Sequence, residues 1–438
     1  MFARITAHSL RRAASILLLA SVLSACSAVQ SIDTPAANGA SAVAQASAAP
    51  SASASAAAIA ASSTQASVAP SAAESPVAGT TDEQAIIASI QETLDLYAKA
   101  YNDNDPSLLA QVVDPKNGPM KRYVQTRFEN YQESIFGGQG GFEYTVTEVE
   151  PHESGFIIAT IERSGLQAKW TFREVNGRWL MSEPNEKQLG ERQKVESEHF
   201  TFYMYPWTKD VNEKLMQQMD VAREQVLEKL GKVPDLKANV YIKPTFGVGA
   251  VTSPNTLAFY DRNSRAGDRI VIAAPNSYVF PFYDASAGWE GDLQTTLTHE
   301  YTHLVNNRSF TPISRMSDWM VEGLAEYVSD PTSARSRGVP AAVASDQIIP
   351  IMDTSGQVNK QDLEHLTILE QDVGLAYGFA FTLVEFINDK HGGMDGFWKL
   401  VQSYDQKQNL PAAIQEAYGI SYEQFDQEWR AWLEENYG

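Results

Sequence analysis

The chain has 438 residues, a formal net charge of −20 and a single cysteine. This negative charge argues against a nucleic-acid partner and against electrostatic binding to anionic lipids, and one cysteine excludes an internal disulfide. The length predicts two folded domains once the first 82 residues are set aside.

The first 25 residues have the pattern of a secretory signal peptide. Three arginines form a basic start, and the apolar run 16–22 is too short to span a membrane. The run leads into Leu23-Ser24-Ala25-Cys26, which resembles the lipobox of bacterial lipoproteins. This resemblance implies that Cys26 is lipidated and anchors an exported protein to the cell membrane or envelope, on the extracytoplasmic side. The alternative is a chance cysteine behind an ordinary cleavable signal.

Residues 26–82 consist mainly of Ala and Ser with scattered Pro, Val and Thr. No apolar periodicity runs through them, so they cannot bury enough surface to offset the entropy of ordering. We expect a flexible tether that spans about 40 Å and holds the folded body away from a membrane.

Residues 83–192 predict an α+β domain. A helical period runs from Ile86 to Tyr101 and another helix is expected over 120–135, after which alternating strands follow. Asn176-Gly177 separates runs 166–175 and 178–181, which is a strong hairpin signal. This layout and the strand, Asn-Gly, Arg-Trp ending resemble the NTF2-like family. The resemblance implies a curved sheet whose concavity binds a ligand or packs against the next domain.

Residues 195–438 predict a second domain with a mixed sheet. Strands are expected over 199–205, 239–242, 257–260 and 269–273, with a long amphipathic helix over 211–230. The last two strands should form a hairpin. We expect Arg269–Ala274 to be the edge of this sheet, to which an extended peptide backbone can add as a further strand.

The next helix is expected from Asp292, its predicted N-cap, to about Asn307. It contains His299-Glu300-Tyr301-Thr302-His303, with an apolar stripe behind the two histidines. Imidazoles four residues apart lie one turn apart on one helix face and can share a Zn²⁺, while the intervening carboxylate can reach a metal-bound water.

A catalytic zinc needs a third protein ligand and an open position. Glu322 follows His303 after 18 residues, on a second helix expected from about Ser317 to Asp330. Metal-bound imidazoles usually donate their other N–H to a carboxylate or carbonyl, and Glu326 or Asp318 could accept it.

The motif, its spacing to Glu322 and the stretch Trp319-Met-Val-Glu-Gly-Leu-Ala-Glu resemble the gluzincin zinc peptidases, in particular bacterial peptidase MA-like domains. The resemblance implies a zincin-type domain with an active-site helix and a helical C-terminal subdomain. It also implies a peptide or protein substrate, Glu300 as the general base, and a downstream Tyr or His that stabilises the oxyanion. Tyr377 is the first candidate for that role and His365 the second.

The chain lacks the Gly-x-Met-Glu-Asn stretch with which classical aminopeptidases of this group hold a free amino terminus, which favours an endopeptidase. Two alternatives remain open. One is a lipid-anchored binding or scaffold protein that uses the NTF2-like domain beside a silent peptidase fold. The other is a zinc hydrolase or transferase that acts on something other than peptides.

Overall fold

The computed structural model of the protein describes residues 81–133, 140–245, 257–262, 267–353, 362–368 and 373–438. The predicted signal peptide, Cys26 and nearly all of the predicted tether lie outside these residues. No helix within the described ranges has the combined length and apolarity that crossing a membrane requires. The described fold is α+β, with two five-stranded sheets and a helical C-terminal region.

Helices precede strands in the N-terminal part, as the sequence predicts. The helices are α1 (Thr81–Asn102), α2 (Leu109–Val112), α3 (Gly118–Glu133) and the short α4 (Glu186–Leu189), with a 3-10 turn at Pro106–Leu108. The strands are β1 (Thr145–Pro151), β2 (Phe156–Arg163), β3 (Leu166–Val175) and β4 (Arg178–Met181).

These four strands form an antiparallel meander, which contains the predicted hairpin. Asn176 and Gly177 join β3 to β4 with φ values of 52° and 78°. A two-residue hairpin with both central residues at positive φ matches the right-handed twist of its strands, which confirms the prediction from the Asn-Gly pair.

A later segment of the chain completes this first sheet. Strand β10 (Tyr283–Asp284) pairs antiparallel with β3, and the residues before it lie against the sheet. We call residues 278–283 the aromatic segment, because Tyr278, Phe280, Phe282 and Tyr283 within it are all buried. The described contacts therefore cross the boundary that the sequence predicts between residues 192 and 195.

Two hydroxyl groups fix the aromatic segment. The Tyr278 hydroxyl donates to the Thr171 carbonyl oxygen on β3, and the Tyr123 hydroxyl on α3 donates to the Tyr278 carbonyl oxygen. Trp170 contacts the Tyr278 and Phe282 rings at centroid distances of 5.4 and 5.5 Å. The sequence predicts that this sheet either binds a ligand or packs against the next domain. The contacts show that it packs against the second part of the chain.

The second sheet contains β5 (Gln193–Glu196), β6 (Phe200–Met204), β7 (Ala238–Lys243), β8 (Ala258–Asp261) and β9 (Arg269–Ala273). Their order is β5-β6-β7-β9-β8, with β9 parallel to β7 and antiparallel to β8. The predicted hairpin pair is confirmed, but the prediction of Arg269–Ala274 as the edge is wrong. β9 is almost wholly apolar and buried, as a strand between two neighbours requires, and β8 forms the edge instead.

The remaining helices build the rest of the fold. They are α5 (Lys209–Leu230), α6 (Glu290–Ser309), α7 (Asp318–Ser329), α8 (Ser333–Ser336), α9 (Val339–Ala344), α10 (Val373–Lys390), α11 (Gly393–Lys407), α12 (Leu410–Tyr418) and α13 (Tyr422–Tyr437), with 3-10 turns at Pro206–Thr208, Ile313–Arg315 and Leu363–Ile368. The helices expected after residue 376 are thus present. Buried Trp429 and Trp432 lie on α13, and the Trp429 ring contacts Phe379 of α10.

Candidate metal centre

Helix α6 carries both histidines of the motif through the middle of the molecule. It begins at Glu290 after Trp289, so the prediction of Asp292 as its N-cap is wrong by one turn. Packing against α5 accounts for the extra residues, because Gln218 donates to the Glu290 carbonyl oxygen at 2.5 Å. The apolar stripe is buried as predicted, and the histidine face is buried as well.

Helix α7 brings the third predicted ligand to α6. It runs from Asp318 with Ser317 as its N-cap residue, which confirms the predicted start and end. Gly323 lets α7 approach α10 closely, since a Cβ at that position would lie 2.7 Å from the Ala380 carbonyl carbon. The glycine therefore sets the depth at which its neighbour Glu322 enters the core.

Three donor atoms from these helices form a tight triangle. His299 Nε2 lies 3.1 Å from Glu322 Oε2 and 3.1 Å from His303 Nε2, and His303 Nε2 lies 3.3 Å from Glu322 Oε2. The three residues are buried, with exposed fractions of 2%, 5% and 5% for His299, His303 and Glu322. Among the described residues, they are the group of His, Cys, Asp and Glu side chains that could hold a metal ion.

The size of the triangle fits zinc. Two ligands about 2.05 Å from a tetrahedral metal lie about 3.3 Å apart, which is close to all three distances. Charge fits too: with neutral imidazoles, the carboxylates of Glu300, Glu322 and Glu326 against the guanidinium of Arg337 leave this buried group two negative charges in excess. A divalent cation supplies the opposite charge.

The ionisation of Glu322 suits a ligand. Burial alone raises the pKa of its carboxyl, but the positive charge that His303 and His299 carry when protonated, together with their hydrogen bonds, outweighs burial and lowers the pKa overall. The carboxyl is therefore an anion at neutral pH, which is the form that binds a cation.

Glu300 belongs to the same buried group, and the edge strand β8 holds its carboxylate in position. Its Oε2 accepts a hydrogen bond of 2.7 Å from the Tyr260 backbone N–H on β8. The Tyr260 hydroxyl in turn donates to Asp268 and accepts from Asn307 on α6 at 2.9 Å. Tyr260 thus ties the strand edge to the histidine helix at two points.

Glu326 occupies the supporting position expected of it. Its Oε1 lies 3.3 Å from His299 Nδ1, on the opposite side of the ring from the donor triangle. Arg337 binds both of its oxygens, and the Ser333 hydroxyl donates to one of them. Burial raises the pKa of Glu326, but Arg337, His299 and Ser333 outweigh it and lower the pKa to about 2.

The two candidates for the oxyanion role lie in different surroundings. Tyr377 on α10 is buried, and its ring centroid is 6.2 Å from that of His299. His365 lies at a kink in the 3-10 turn Leu363–Ile368, where its Nδ1 is 2.8 Å from the buried carboxylate of Asp362. The structure thus brings Tyr377 beside a predicted ligand and pairs His365 with an aspartate.

Asp318, the other candidate for holding an imidazole, is half-buried in the first turn of α7. Its charge acts on Tyr404, whose pKa is raised by burial and by the charges of Glu364 and Asp318. The expected contact of Asp318 with an imidazole stays a prediction.

Comparison with known proteins concerns this same segment. Residues 275–435 match the model of the Peptidase MA superfamily. The match covers little more than a third of the chain and includes all three donor residues. A search of curated proteins finds no match.

Similarity to solved structures is weak. An M1 zinc metallopeptidase from Deinococcus radiodurans is 14% identical with a TM-score of 0.31, and the match covers 66% of this chain and 62% of that enzyme. A two-domain M1 zinc metallopeptidase mutant bound to L-arginine is 14% identical with a TM-score of 0.29, and the match covers 60% of this chain and 58% of that one. The chain therefore spans less than two thirds of these enzymes, and a likeness at this level supports no conclusion about activity.

Sequence reasoning missed several residues of the site. No recognisable motif marks Arg337 and Ser333, because they reach Glu326 through the turn after α7. Both lie within the segment that matches the Peptidase MA model. Tyr260 was assigned to a strand without a role. Asp362 offered a usable signal, since it precedes His365 by three residues, a spacing at which side chains meet in helical turns.

Proposed function

We propose that this protein is a zinc metallopeptidase that hydrolyses peptide bonds, with endopeptidase action on extended peptides. The observation that carries the proposal is the buried triangle of His299, His303 and Glu322, whose donor atoms all lie within 4.8 Å of one another. The match of residues 275–435 to the Peptidase MA superfamily supports it.

Each residue of the centre has a defined part in this proposal. His299, His303 and Glu322 would hold the zinc, which when bound supplies Lewis acidity and lowers the pKa of a water toward neutrality. Glu300 takes the proton of the attacking water and passes it to the leaving amine. The Tyr377 hydroxyl donates to the oxyanion of the tetrahedral intermediate; His365 is the second candidate for that donor.

The edge strand supports an extended peptide substrate. Leu257 accepts a hydrogen bond from Ala273 on β9, so odd-numbered residues of this strand face β9 and even-numbered residues face outward. The Tyr260 N–H already binds Glu300, which leaves the Ala258 N–H and C=O and the Tyr260 C=O pointing outward. A peptide added along this edge would be bound through its backbone in an extended form, which favours a peptide substrate.

The cellular setting is also part of the proposal. The lipobox-like sequence before Cys26 and the Ala/Ser-rich stretch 26–82 favour an exported bacterial lipoprotein tethered to a membrane. The net charge of −20 argues against a nucleic-acid partner. The aromatic segment packs on Thr171 and Trp170 of the first sheet, which favours a structural role for that face over the alternative of a binding protein that uses it.

The proposal is tested by Glu300→Gln, which removes the proton acceptor and leaves the three predicted ligands intact. We expect the purified parent to contain about one zinc per chain and to cleave peptides, and the variant to keep its zinc but lose hydrolysis. Glu290→Gln on the same helix, outside the centre, is the matched control and should behave as the parent.

Cleavage profiling of envelope proteins with parent and Glu300→Gln would reveal the substrate class. Equal hydrolysis by Glu300→Gln would refute the assigned base, and a folded parent without zinc would refute the metal site. Products other than peptides, formed by the parent alone, would favour the hydrolase or transferase of another substrate class.

A further inference from the structure

Arg337 is the buried cation that organises the side of the metal centre away from the donor triangle. It lies between α8 and α9, and its side chain is 7% exposed. Its Nε is 2.9 Å from Glu326 Oε2 and 3.1 Å from the Ser333 hydroxyl, and its Nη2 is 2.8 Å from Glu326 Oε1.

This two-point contact fixes the plane of the Glu326 carboxylate. A guanidinium presents parallel N–H groups that match the two carboxylate oxygens, so the carboxylate cannot turn about its own axis. Its Oε1 therefore stays 3.3 Å from His299 Nδ1. An imidazole held at Nδ1 in this way has a defined ring orientation and a defined tautomer, with Nε2 left for the donor triangle.

The same guanidinium also lies over the ring of Tyr377, 5.3 Å from its centroid. Tyr377 is the residue whose ring lies 6.2 Å from that of His299. Arg337 thus contacts, on one side, the carboxylate behind a predicted ligand and, on the other, the predicted oxyanion donor.

The backbone around Arg337 is held close to α10 by a glycine. A Cβ at Gly378 would lie 3.1 Å from Arg337 Cβ and 2.9 Å from Val339 Cγ2, both closer than ordinary contact. The absence of a side chain there lets the connection between α8 and α9 pack directly against the helix that carries Tyr377.

We infer that Arg337 is a positioning residue of the metal centre, which orients His299 through Glu326 and places Tyr377 beside it. This inference rests on the proposed function, because the orientation of the His299 ring is taken to serve the binding of a metal. A cation that only balanced charge could be replaced by lysine, whereas a two-point positioning role requires the guanidinium fork.

The test compares Arg337→Lys and Ser333→Ala with the parent, all as full chains. Cobalt(II) replaces zinc as a spectroscopic probe, and affinity is measured by competition with a chromophoric chelator. We expect Arg337→Lys to bind metal about 10–100-fold more weakly and to show an altered cobalt visible spectrum, as is typical when a ligand's hydrogen-bond partner is disturbed. Ser333→Ala should show the same changes to a smaller degree.

Arg335→Lys is the matched control, because Arg335 is exposed and lies two residues earlier over the ring of Tyr437. It should leave affinity and spectrum unchanged. Far-UV circular dichroism and thermal unfolding confirm that each variant is folded, and Ser333→Ala keeps the test valid if Arg337→Lys does not fold.

The outcomes separate the two proposals. Parental affinity and spectrum in folded Arg337→Lys, or in Ser333→Ala should Arg337→Lys not fold, would overturn the positioning role. Failure of the parent itself to bind zinc or cobalt would instead refute the proposed function.

Discussion

Replacing Gly323 by alanine should damage the metal centre through packing alone. In a helix this change ordinarily stabilises a protein by about 1 kcal/mol. Here the new methyl group would lie 2.7 Å from the Ala380 carbonyl carbon and 3.2 Å from Val384 Cγ2, where ordinary contact begins at 3.4 Å. The Ala380 carbonyl oxygen lies closer still, so helices α7 and α10 must separate by about 1 Å.

Overpacking of this kind costs about 1–3 kcal/mol, which outweighs the gain in helix propensity and leaves a net loss of up to about 2 kcal/mol. Glu322 precedes the glycine directly, so its carboxylate moves with the helix. Metal–ligand distances in zinc sites hold to about 0.2 Å, and we therefore expect affinity to fall by at least about tenfold.

Gly291→Ala is the matched control, since Gly291 is also helical and a Cβ there meets no atom within 4 Å. It should leave metal affinity unchanged and stabilise the protein by up to about 1 kcal/mol. Urea unfolding in chelator measures stability, and chelator competition measures affinity. Equal stability and equal affinity of the two alanine variants would refute the idea that this glycine sets the position of the ligand.

Three further predictions concern other parts of the molecule. Zinc at a hundredfold excess over its Kd should stabilise the parent by about 2.7 kcal/mol in thermal unfolding, and a similar shift in His303→Ala would contradict the site. Tyr278→Phe should cost about 1 kcal/mol, because the Thr171 carbonyl loses one of its two donors and keeps the Ser182 N–H, while metal affinity stays parental; a loss of affinity would contradict this separation. Asp114 is buried beside Arg173. Burial raises the pKa of the Asp114 carboxyl, but hydrogen bonds from Lys116 and Arg173 outweigh burial and keep this pKa below its usual value. The stability from its anion is therefore present above about pH 3.9 and lost as pH falls through the lower folded-state pKa, so Asp114→Asn should cost about 1–3 kcal/mol at pH 7 and less at pH 3. An equal cost at both pH values would refute that assignment.

Local patterns predicted the elements that carry their own signals. The Asn176-Gly177 turn and the limits of α7 follow from backbone chemistry within a few residues, and both are present. The spacing from His303 to Glu322 also predicted a meeting of two helices that the structure contains. Each of these rests on periodicity or turn chemistry that a short window of sequence displays.

Contacts that depend on the whole topology were not predictable in this way. The order of strands in the second sheet decides that Arg269–Ala273 is central, and a hairpin pattern alone does not say which of its strands lies outside. Arg337 reaches Glu326 across a turn whose course no periodicity reveals. Tyr283 pairs with Gln167 although more than a hundred residues separate them in the sequence, and no local pattern predicts such a contact.

The aromatic segment has a consequence for how this protein can be divided. Because Tyr278 bonds to Thr171 across 107 positions, the first sheet is finished only after the second sheet has been synthesised. A shortened chain beginning near residue 195 would carry Tyr278 and Phe282 without the Trp170 ring on which they pack, directly ahead of helix α6. Experiments on the proposed peptidase chemistry therefore need residues 81–438 together, because one buried core runs through both parts.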